Sequence, residues 1–542
     1  MNKPWFLVLA LLFISVASAQ HGHMMEDEMP SPFNATGNEP MSYALFPEQK
    51  GYFYAHVAFM IAAFWILMPI GVMLGIARSS LHVPTQLLAF GVALFGFFFG
   101  QMYGHTTPHL YKGNVHHSMG WILFLFLLAQ LAVGIVRKIA NAVGRSQEVN
   151  YDRLETVHLM NRPSSSSDHH SDASMETLRH HAEEEENEED FLYDKQTNIM
   201  QEEKPSLVLR VFNVILPYIP KFVKSAFVTM AYNPFTKTAC RWFHLILGRV
   251  FIVLIFTQTI SGLVVYHGVC RSWEVLGCIA HLIKGGIFFF YGSLTFGRYL
   301  GAFADRGWAW NRVDGASRFS FEMVESSLIF LYGITNTWME HFGQDSQWQH
   351  KDLEHASLAF MWWWCGLIGI LVESRALRRL LERSILNTPL DMPRHETAQT
   401  QSLNPFPALT VLMTGISMGN HHQDTQYSSN IHYMWGLLLS CAAICRFLTY
   451  LSLYRRPPVN AQPTRPPTEL VGSFFLIAGS ILFMASNSGT LLWLRRNQVD
   501  SMFLMNVCVA LTAMTLSYVA IMMLIKAWAM KREQRKQVAR SP

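Results

Sequence analysis

Long apolar runs constrain this chain more than any other feature. About eleven of them, at 54–76, 85–102, 120–139, 242–265, 276–296, 319–337, 357–373, 406–419, 434–450, 470–488 and 503–525, approach the ~20 residues that a helix needs to cross a bilayer. Backbone polar groups at that depth meet no water, so each run must close its hydrogen bonds within itself, as a helix does. The composition agrees: 51% hydrophobic residues against 15% charged is too apolar for one soluble core. The expected fold is all-α, a polytopic helical membrane protein with about eleven transmembrane helices in two modules. The run at 406–419 is the weakest, being short and containing Pro407.

The flanks give an orientation. Residues 1–19 read as a secretory signal, with Lys3 as the basic start and Ala17-Ser18-Ala19 as the small-residue cleavage site. A short tail, 20–50, then lies in the lumen or outside the cell, where Asn34-Ala35-Thr36 is a glycosylation acceptor. Arg78, Arg137-Lys138, Arg298 with Arg306, Arg312 and Arg318, Arg378-Arg379, Arg455-Arg456 and Lys531-Arg532 all fall inside on this topology. Only Arg495-Arg496 falls outside. The expectation is an integral protein of the secretory pathway, plasma membrane or vacuole, with a basic cytosolic tail at 531–542. Residues 141–235 form a long connection, rich in Ser, His-His pairs and Glu, that cannot fold alone. Its apolar end, 207–230, carries Lys221 and Lys224 and reads as an interfacial segment. The scattered cysteines, including Cys278, read as small core residues and not as a disulfide framework.

Four histidines carry the chemistry. His56 lies near the start of the first span, His82 before the second, His116 at the start of the third and His244 one turn inside the fourth. On the topology above, His56 and His116 share the outer leaflet and His82 and His244 the inner one. Two such pairs, one per leaflet, are what two stacked b-type haems require within a helical bundle. His117 competes with His116 for the third position. Taken singly, each ring also reads as an interfacial residue bonded to a headgroup or a carbonyl.

His56 leading to Pro69-Ile70-Gly71 and Ala77-Arg78, His82-x3-Gln86, His116-x3-Gly120 with Gln130, and His244-x3-Gly248 together resemble the transmembrane core of cytochrome b561-type proteins. The resemblance covers 51–140 and 236–268, on either side of the acidic insertion. It implies that His56, His82, His116 and His244 bind two haems b, that electrons cross the membrane, and that a small donor such as ascorbate supplies them. Pro84 sets His82 at the mouth of its helix. The whole chain also resembles the fungal YTP family of membrane proteins, on Trp338–Gly343, Trp348–His355, Asn404–Pro407 and His421-His422-Gln423. That likeness implies a secretory-pathway membrane protein and no particular reaction.

The second module, 269–530, has its own constellation. His341, His350, His355, His421, His422 and His432 all fall on the outer side, with Glu340, Asp352, Glu354 and Asp424 among them. Imidazoles with a few carboxylates suit zinc, copper or iron, and solvated loop histidines are the plain alternative. On a helix, His350 and His355 point about 140° apart, so a shared metal needs a second loop. His21, His23, Met24 and Met25 suit copper. Within the membrane, Lys284, Glu322 and Glu325 read either as an ion path or as a structural pair, with Lys284 and Glu325 in reach of one another.

The function expected is a di-haem conduit delivering electrons to an outer metal ion, a metal-reductase-like activity. The alternatives are a haem-free metal transporter or sensor using the outward histidines, and a membrane scaffold. Membrane lipids are expected partners. Nucleic acid is not, and no glycine-rich nucleotide fingerprint is present.

Overall fold

The computed structural model describes residues 42–46, 48–111, 113–134, 233–271, 274–313, 319–339, 348, 350–386 and 402–539. The expected signal, tail, acidic insertion and interfacial segment lie outside these residues, as do His341, Asn34 and the His/Met cluster at 21–25. Among the described residues every regular element is helical.

The chain divides into two compact units, Pro47–Tyr266 with Trp528–Pro542, and Met1–Phe46 with His267–Ala527. The first, the core unit, contains α1 (Lys50–Ile76), α2 (His82–Thr106), α3 (Val115–Gly134) and α4 (Pro234–His267). The second unit contains α5 (Glu274–Leu300), α6 (Phe321–Met339), α7 (His350–Glu373), α8 (Arg375–Leu386), α9 (Phe406–Gly419), α10 (Gln426–Arg455), α11 (Pro467–Ala485) and α12 (Ser488–Arg496). Helix α13 (Ser501–Val538) begins in the second unit and ends in the core unit.

Each expected apolar run overlaps one of these helices over the described residues. Nine helices among the described residues are long and apolar enough to cross a membrane. Helix α9 is apolar but has only 14 residues, and α6 carries Glu322 and Glu325 in its first turns. Helix α8 was not expected. It reads RALRRLLERSIL, with Leu380, Leu381 and Ile385 exposed beside its arginines, the pattern of a helix lying at an interface. Local chemistry sets several starts: Thr425 caps α10 by accepting from Ser428 N at 3.2 Å, Asn487 caps α12 through Thr490 N at 2.9 Å, and Pro467 opens α11.

In the core unit, Met68, Ala89, Leu123, Leu247, Phe251 and Ile255 form a buried cluster along the middle of α1–α4. Trp65 Nε1 donates to Thr259 Oγ1 at 3.1 Å beside it. The last turns of α13 dock on the α1–α2 connection. Ala529 packs with Leu74 and Ala77, Ser79 Oγ donates to Glu533 Oε1 at 3.0 Å, and Lys536 Nζ donates to Ser80 Oγ at 3.1 Å.

The second unit has the denser core, built around Trp435, Leu439, Leu476 and Phe483, with Trp435 stacked on Phe483 at 4.2 Å. Small residues let its backbones touch. A Cβ on Gly333 of α6 would lie 2.2 Å from Trp363 N of α7, and one on Gly366 of α7 would lie 2.3 Å from Phe330 N of α6. Lipid supplies no hydrophobic drive between helices, so such close approach is what holds them together.

One expectation fails here. Cys278 is not a free core thiol but is bonded to Cys270, with the Cα atoms 5.8 Å apart. Helix α5 starts at Glu274 and its second turn brings Cys278 back over the α4–α5 connection. Five cysteines remain free, namely Cys240, Cys365, Cys441, Cys445 and Cys508. Denatured protein should therefore bind five maleimides before reduction and seven after it, read by intact mass.

Candidate functional site

The core unit carries the four histidines on four different helices, all half-buried. His56 on α1 and His116 on α3 meet, with ring centres 6.5 Å apart and ring planes perpendicular. Each is aimed by a neighbouring helix. His56 Nδ1 lies 2.8 Å from Gly96 O of α2, and His116 Nδ1 lies 3.0 Å from Ser261 Oγ of α4. A carbonyl only accepts, so Nδ1 of His56 holds its proton. Ser261 Oγ spends its own proton on Gln258 O at 2.8 Å, so it too accepts from His116 Nδ1. Both rings therefore keep Nε2 as a lone pair. This is the arrangement of a metal-binding imidazole whose second nitrogen donates to an outer partner. His82 repeats it, donating from Nδ1 to Gly71 O of α1 at 2.7 Å.

Glycines give the rings room. A Cβ on Gly100 would lie 2.6 Å from His56 Nδ1, one on Gly262 would lie 2.9 Å from His116 Cε1, and one on Gly75 would lie 2.9 Å from His82 Nδ1. Gly134 stands opposite His244, at 3.9 Å by the same measure. His82 thus shares the construction of His56, whereas beside His244 the glycine stands at ordinary contact distance. His117, the competitor of His116, is exposed.

A register links the four helices. His116, Gly120, Gln130 and Gly134 on α3 match His244, Gly248, Gln258 and Gly262 on α4 at identical spacing. The two helices answer each other: Gln258 Nε2 donates to His116 O at 2.9 Å and Gln130 Nε2 to His244 O at 3.0 Å. On α2, Gly96 and Gly100 follow His82 at the offsets of Gln130 and Gly134 after His116. On α1, Gly71 and Gly75 follow His56 one residue later than that, and the π-helical turn Ile61–Leu67 between them absorbs the extra residue. Large and small residues are exchanged in this pair: Gln86 of α2 lies on Gly71, and Met60 of α1 on Gly96.

The donor set fits a haem. Two imidazoles gripping one metal in line, each nitrogen about 2 Å away, place their ring centres roughly 6 Å apart. The 6.5 Å between His56 and His116 is close to that figure.

The second unit gathers imidazoles at one end. His355 of α7 lies tilted to His421 at 5.3 Å between ring centres, His421 tilted to His432 of α10 at 6.0 Å, and His432 edge-on to His281 of α5 at 6.2 Å. Glu354 joins them, 3.7 Å from His421 Nε2, and pairs with the exposed His350 at 3.2 Å. His350 and His355 thus diverge, as their helical spacing requires. His432 and His281 bond their Nδ1 atoms to carbonyls of their own helices, Ser428 O and Gly277 O, each at 2.8 Å. Gln423 holds His421 Nδ1. His422 is exposed. Among the described residues, no group of three or more His, Cys, Asp or Glu side chains is placed to hold a metal ion as it stands.

The opposite end of the same helices carries a buried charge network. Arg446 Nε lies 2.7 Å from Glu469 Oε1 and Arg446 Nη1 3.2 Å from Glu325 Oε1. Arg298 reaches Glu322 at 3.8 Å and Glu325 at 3.9 Å. All five side chains are nearly sealed from solvent. Glu325 is therefore engaged by Arg446 and Arg298, in place of the expected Lys284. Arg298, counted above with the inner loop charges, is 1% exposed. Arg446 lies inside an apolar run, a signal that loop counting passes over.

These elements define a two-unit polytopic helical membrane protein with four imidazoles in one unit and a buried ionic network in the other. A family model described as Protein YTP1-like, C-terminal, matches residues 254–527, and a domain of unknown function, DUF2427, matches 37–140. An uncharacterised membrane protein of Schizosaccharomyces pombe is 36% identical over 525 residues, covering 92% of this chain and 99% of its own length. The chain belongs to the YTP1-like family. An uncharacterised membrane protein of Saccharomyces cerevisiae is 27% identical, over 88% of this chain and 83% of its own. Protein YTP1 of the same yeast is 25% identical over 43% of each. No solved structure matches.

Removing one partner from a buried pair leaves an uncompensated charge. Arg446→Met, which strands Glu325 and Glu469, should cost about 3–5 kcal/mol. The check is a thermal melt of the purified protein in detergent.

Proposed function

We propose that the core unit is a transmembrane di-haem b-type cytochrome, carrying electrons from a cytosolic donor to an acceptor on the outer or luminal side. The observation that supports it most is the His56–His116 pair, 6.5 Å between ring centres, with Nδ1 of each ring tied to another helix. His56 and His116 would hold one haem, and His82 and His244 the other. When bound, each haem supplies reversible one-electron chemistry at its iron. The protein's part is to fix tautomer, spacing and depth. Gly96 O, Gly71 O and Ser261 Oγ would keep Nε2 of His56, His82 and His116 as a ligand. The apolar cluster of Met68, Leu247 and Phe251 lies between the two levels and excludes water there.

The orientation has support from two sides. Most short-loop arginines and lysines favour an outer N-terminus. On that topology the Cys270–Cys278 bond falls on the outer side, and disulfides persist in oxidising compartments. At the inner mouth, Trp528, Lys531, Arg532, Arg535, Lys536 and Ala539 line a cavity of about 400 Å³. It adjoins Ser79 and Ser80, which lead into His82. Four cations there suit a small anionic donor of the ascorbate kind.

The outer acceptor is a metal ion near His355, His421 and His432, in this reading. Their run of ring contacts favours metal capture; the rings must re-aim to converge on one ion. The same run favours a second reading, a metal transporter that needs no haem.

Reduced-minus-oxidised spectra of membranes from overexpressing cells test the cytochrome. Wild type should show b-type bands, and His116→Ala and His244→Ala should each remove about half of them, since one pair is lost in each. Gly100→Val should mimic His116→Ala, because its side chain occupies the place of the His56 ring. Bands absent from wild type would sink the proposal, and metal uptake unchanged in His244→Ala would favour the transporter.

A further inference from the structure

The charge network of the second unit has an uneven count. Arg298 and Arg446 bring two guanidinium groups; Glu322, Glu325 and Glu469 bring three carboxylates. The ion pairs above are complete for these five side chains among the described residues. Fully ionised, the group carries one uncompensated negative charge in a place that water does not reach. Such a charge is too costly to leave bare, so a buried group sheds it by taking up a proton.

Geometry favours one carboxylate over a competitor: Glu325 Oε2 is buried without a hydrogen-bond partner among the described residues, but Glu325 faces two guanidinium groups. Glu469 is gripped at 2.7 Å and Glu325 at 3.2 Å, both by Arg446. Glu322 has one ion-pair partner, Arg298, at 3.8 Å, besides a backbone hydrogen bond, though it is 6% exposed. Arg298 is itself committed elsewhere: its Nε donates to Trp308 O at 2.6 Å, and its guanidinium lies 4.2 Å from the Trp310 ring and 3.7 Å from Phe321.

The surroundings hold one further buried carboxylate, Glu373, and two tyrosines. From α5, Tyr291 stands 5.9 Å from the Arg446 guanidinium; from α10, Tyr450 stands 5.9 Å from it as well. Helix α7 contributes Glu373, which accepts from Ser320 and Ser402 at 2.6 Å each and joins none of these ion pairs. The Trp310 indole N–H, the Tyr450 hydroxyl and the Thr295 hydroxyl are buried without a hydrogen-bond partner among the described residues. Trp310 lies within 5.8 Å of Arg446 as well as 4.2 Å of Arg298, so its orphaned donor belongs to this cluster.

A folded loop separates the cluster from solvent. Asn311 Nδ2 donates to Ala304 O at 2.7 Å and to Ala461 O at 2.8 Å, and Thr464 Oγ1 donates to Trp310 O at 2.8 Å. The α5–α6 and α10–α11 connections are thereby clasped over the charges.

We propose that Glu322 is an exchangeable proton-binding site of the second unit, holding one proton that balances the three carboxylates against the two arginines. The proton comes from water and returns to it, the carboxylate becoming a neutral carboxyl and back. Release would tighten Arg298 on Glu322 and draw on the loop that Arg298 holds through Trp308. The site is independent of the imidazole core and of any haem.

Infrared difference spectroscopy on the purified full chain, in water and in heavy water, reads the proton directly. Wild type near neutral pH should show the C=O stretch of a protonated carboxyl group, shifted by deuterium. Glu322→Gln should abolish it. Glu322→Asp should keep the band but move its frequency, whereas Glu325→Asp and Glu469→Asp should leave the frequency alone. A band that survives Glu322→Gln, or moves with Glu325 or Glu469, overturns the assignment. So does a wild type without the band, or a band that sodium or potassium removes, since the balancing charge is then a metal cation. A thermal melt guards against misfolding. Glutamine mimics the protonated state, so Glu322→Gln should melt at the wild-type temperature, and a drop as large as that of Arg446→Met would make Glu322 a structural ion-pair partner instead.

Discussion

The hydrogen bond made by Nδ1 decides where three of the four core imidazoles, His56, His82 and His116, point. In an apolar medium a histidine N–H must find an acceptor, and few are free, because helix carbonyls are already engaged. Gly96 and Gly71 offer theirs to His56 and His82. Glycine one turn on, at Gly100 and Gly75, leaves the ring its room, since a Cβ there would meet it. At Gly100 that encounter would be at 2.6 Å. The spacing of histidine and glycine is therefore one device. Its fourth copy needs the π-helical turn Ile61–Leu67, because an uncorrected extra residue on α1 would rotate Gly71 and Gly75 by about 100° away from α2.

The second unit solves a different problem with charge. Its helices cross on glycines, but the end away from its imidazoles is fixed by Arg298 and Arg446 among three carboxylates. An ion pair in such a place contributes little net stability, since desolvation opposes attraction. It contributes geometry instead. Each guanidinium joins several helices at once: Arg446 ties α10 to α6 and α11, and Arg298 ties α5 to α6 and to the loop carrying Trp308. The aromatic faces of Trp310 and Phe321 on Arg298 replace part of the water it has lost.

Helices were legible in the sequence because membrane depth leaves the backbone one choice, and apolar runs mark that depth. The four core histidines were legible for a related reason: a polar ring near the end of a membrane helix is conspicuous. What aims them was less so. Gly100 and Gly262 look like ordinary small residues of membrane helices until a ring is found against them. The matched spacing of α3 and α4 was open to reading, but on α1 the π-helical turn hides it by one residue. Charge partners were hardest. Lys284 and Glu325 stand at compatible heights, yet height along the axis says nothing about which way a helix faces, and Arg446 faces Glu325. The Cys270–Cys278 bond depended on where α5 begins, a boundary that hydropathy blurs.

The two imidazole groups also differ in what anchors them, and the difference bears on what each can hold. In the core unit, Nδ1 of His56, His82 and His116 is bonded to another helix, so the ring is fixed relative to the bundle. In the second unit, His281 and His432 bond to carbonyls of their own helices, one turn back. Those hydrogen bonds tie each ring to the helix that carries it and not to a neighbour. Cross-helix anchoring suits a permanent group, whose loss would leave the bundle's interior unfilled. Anchoring within one helix suits an ion that arrives, is handled and leaves. In the proposed reading, the resident cofactor belongs with the first kind of histidine and the passing metal with the second.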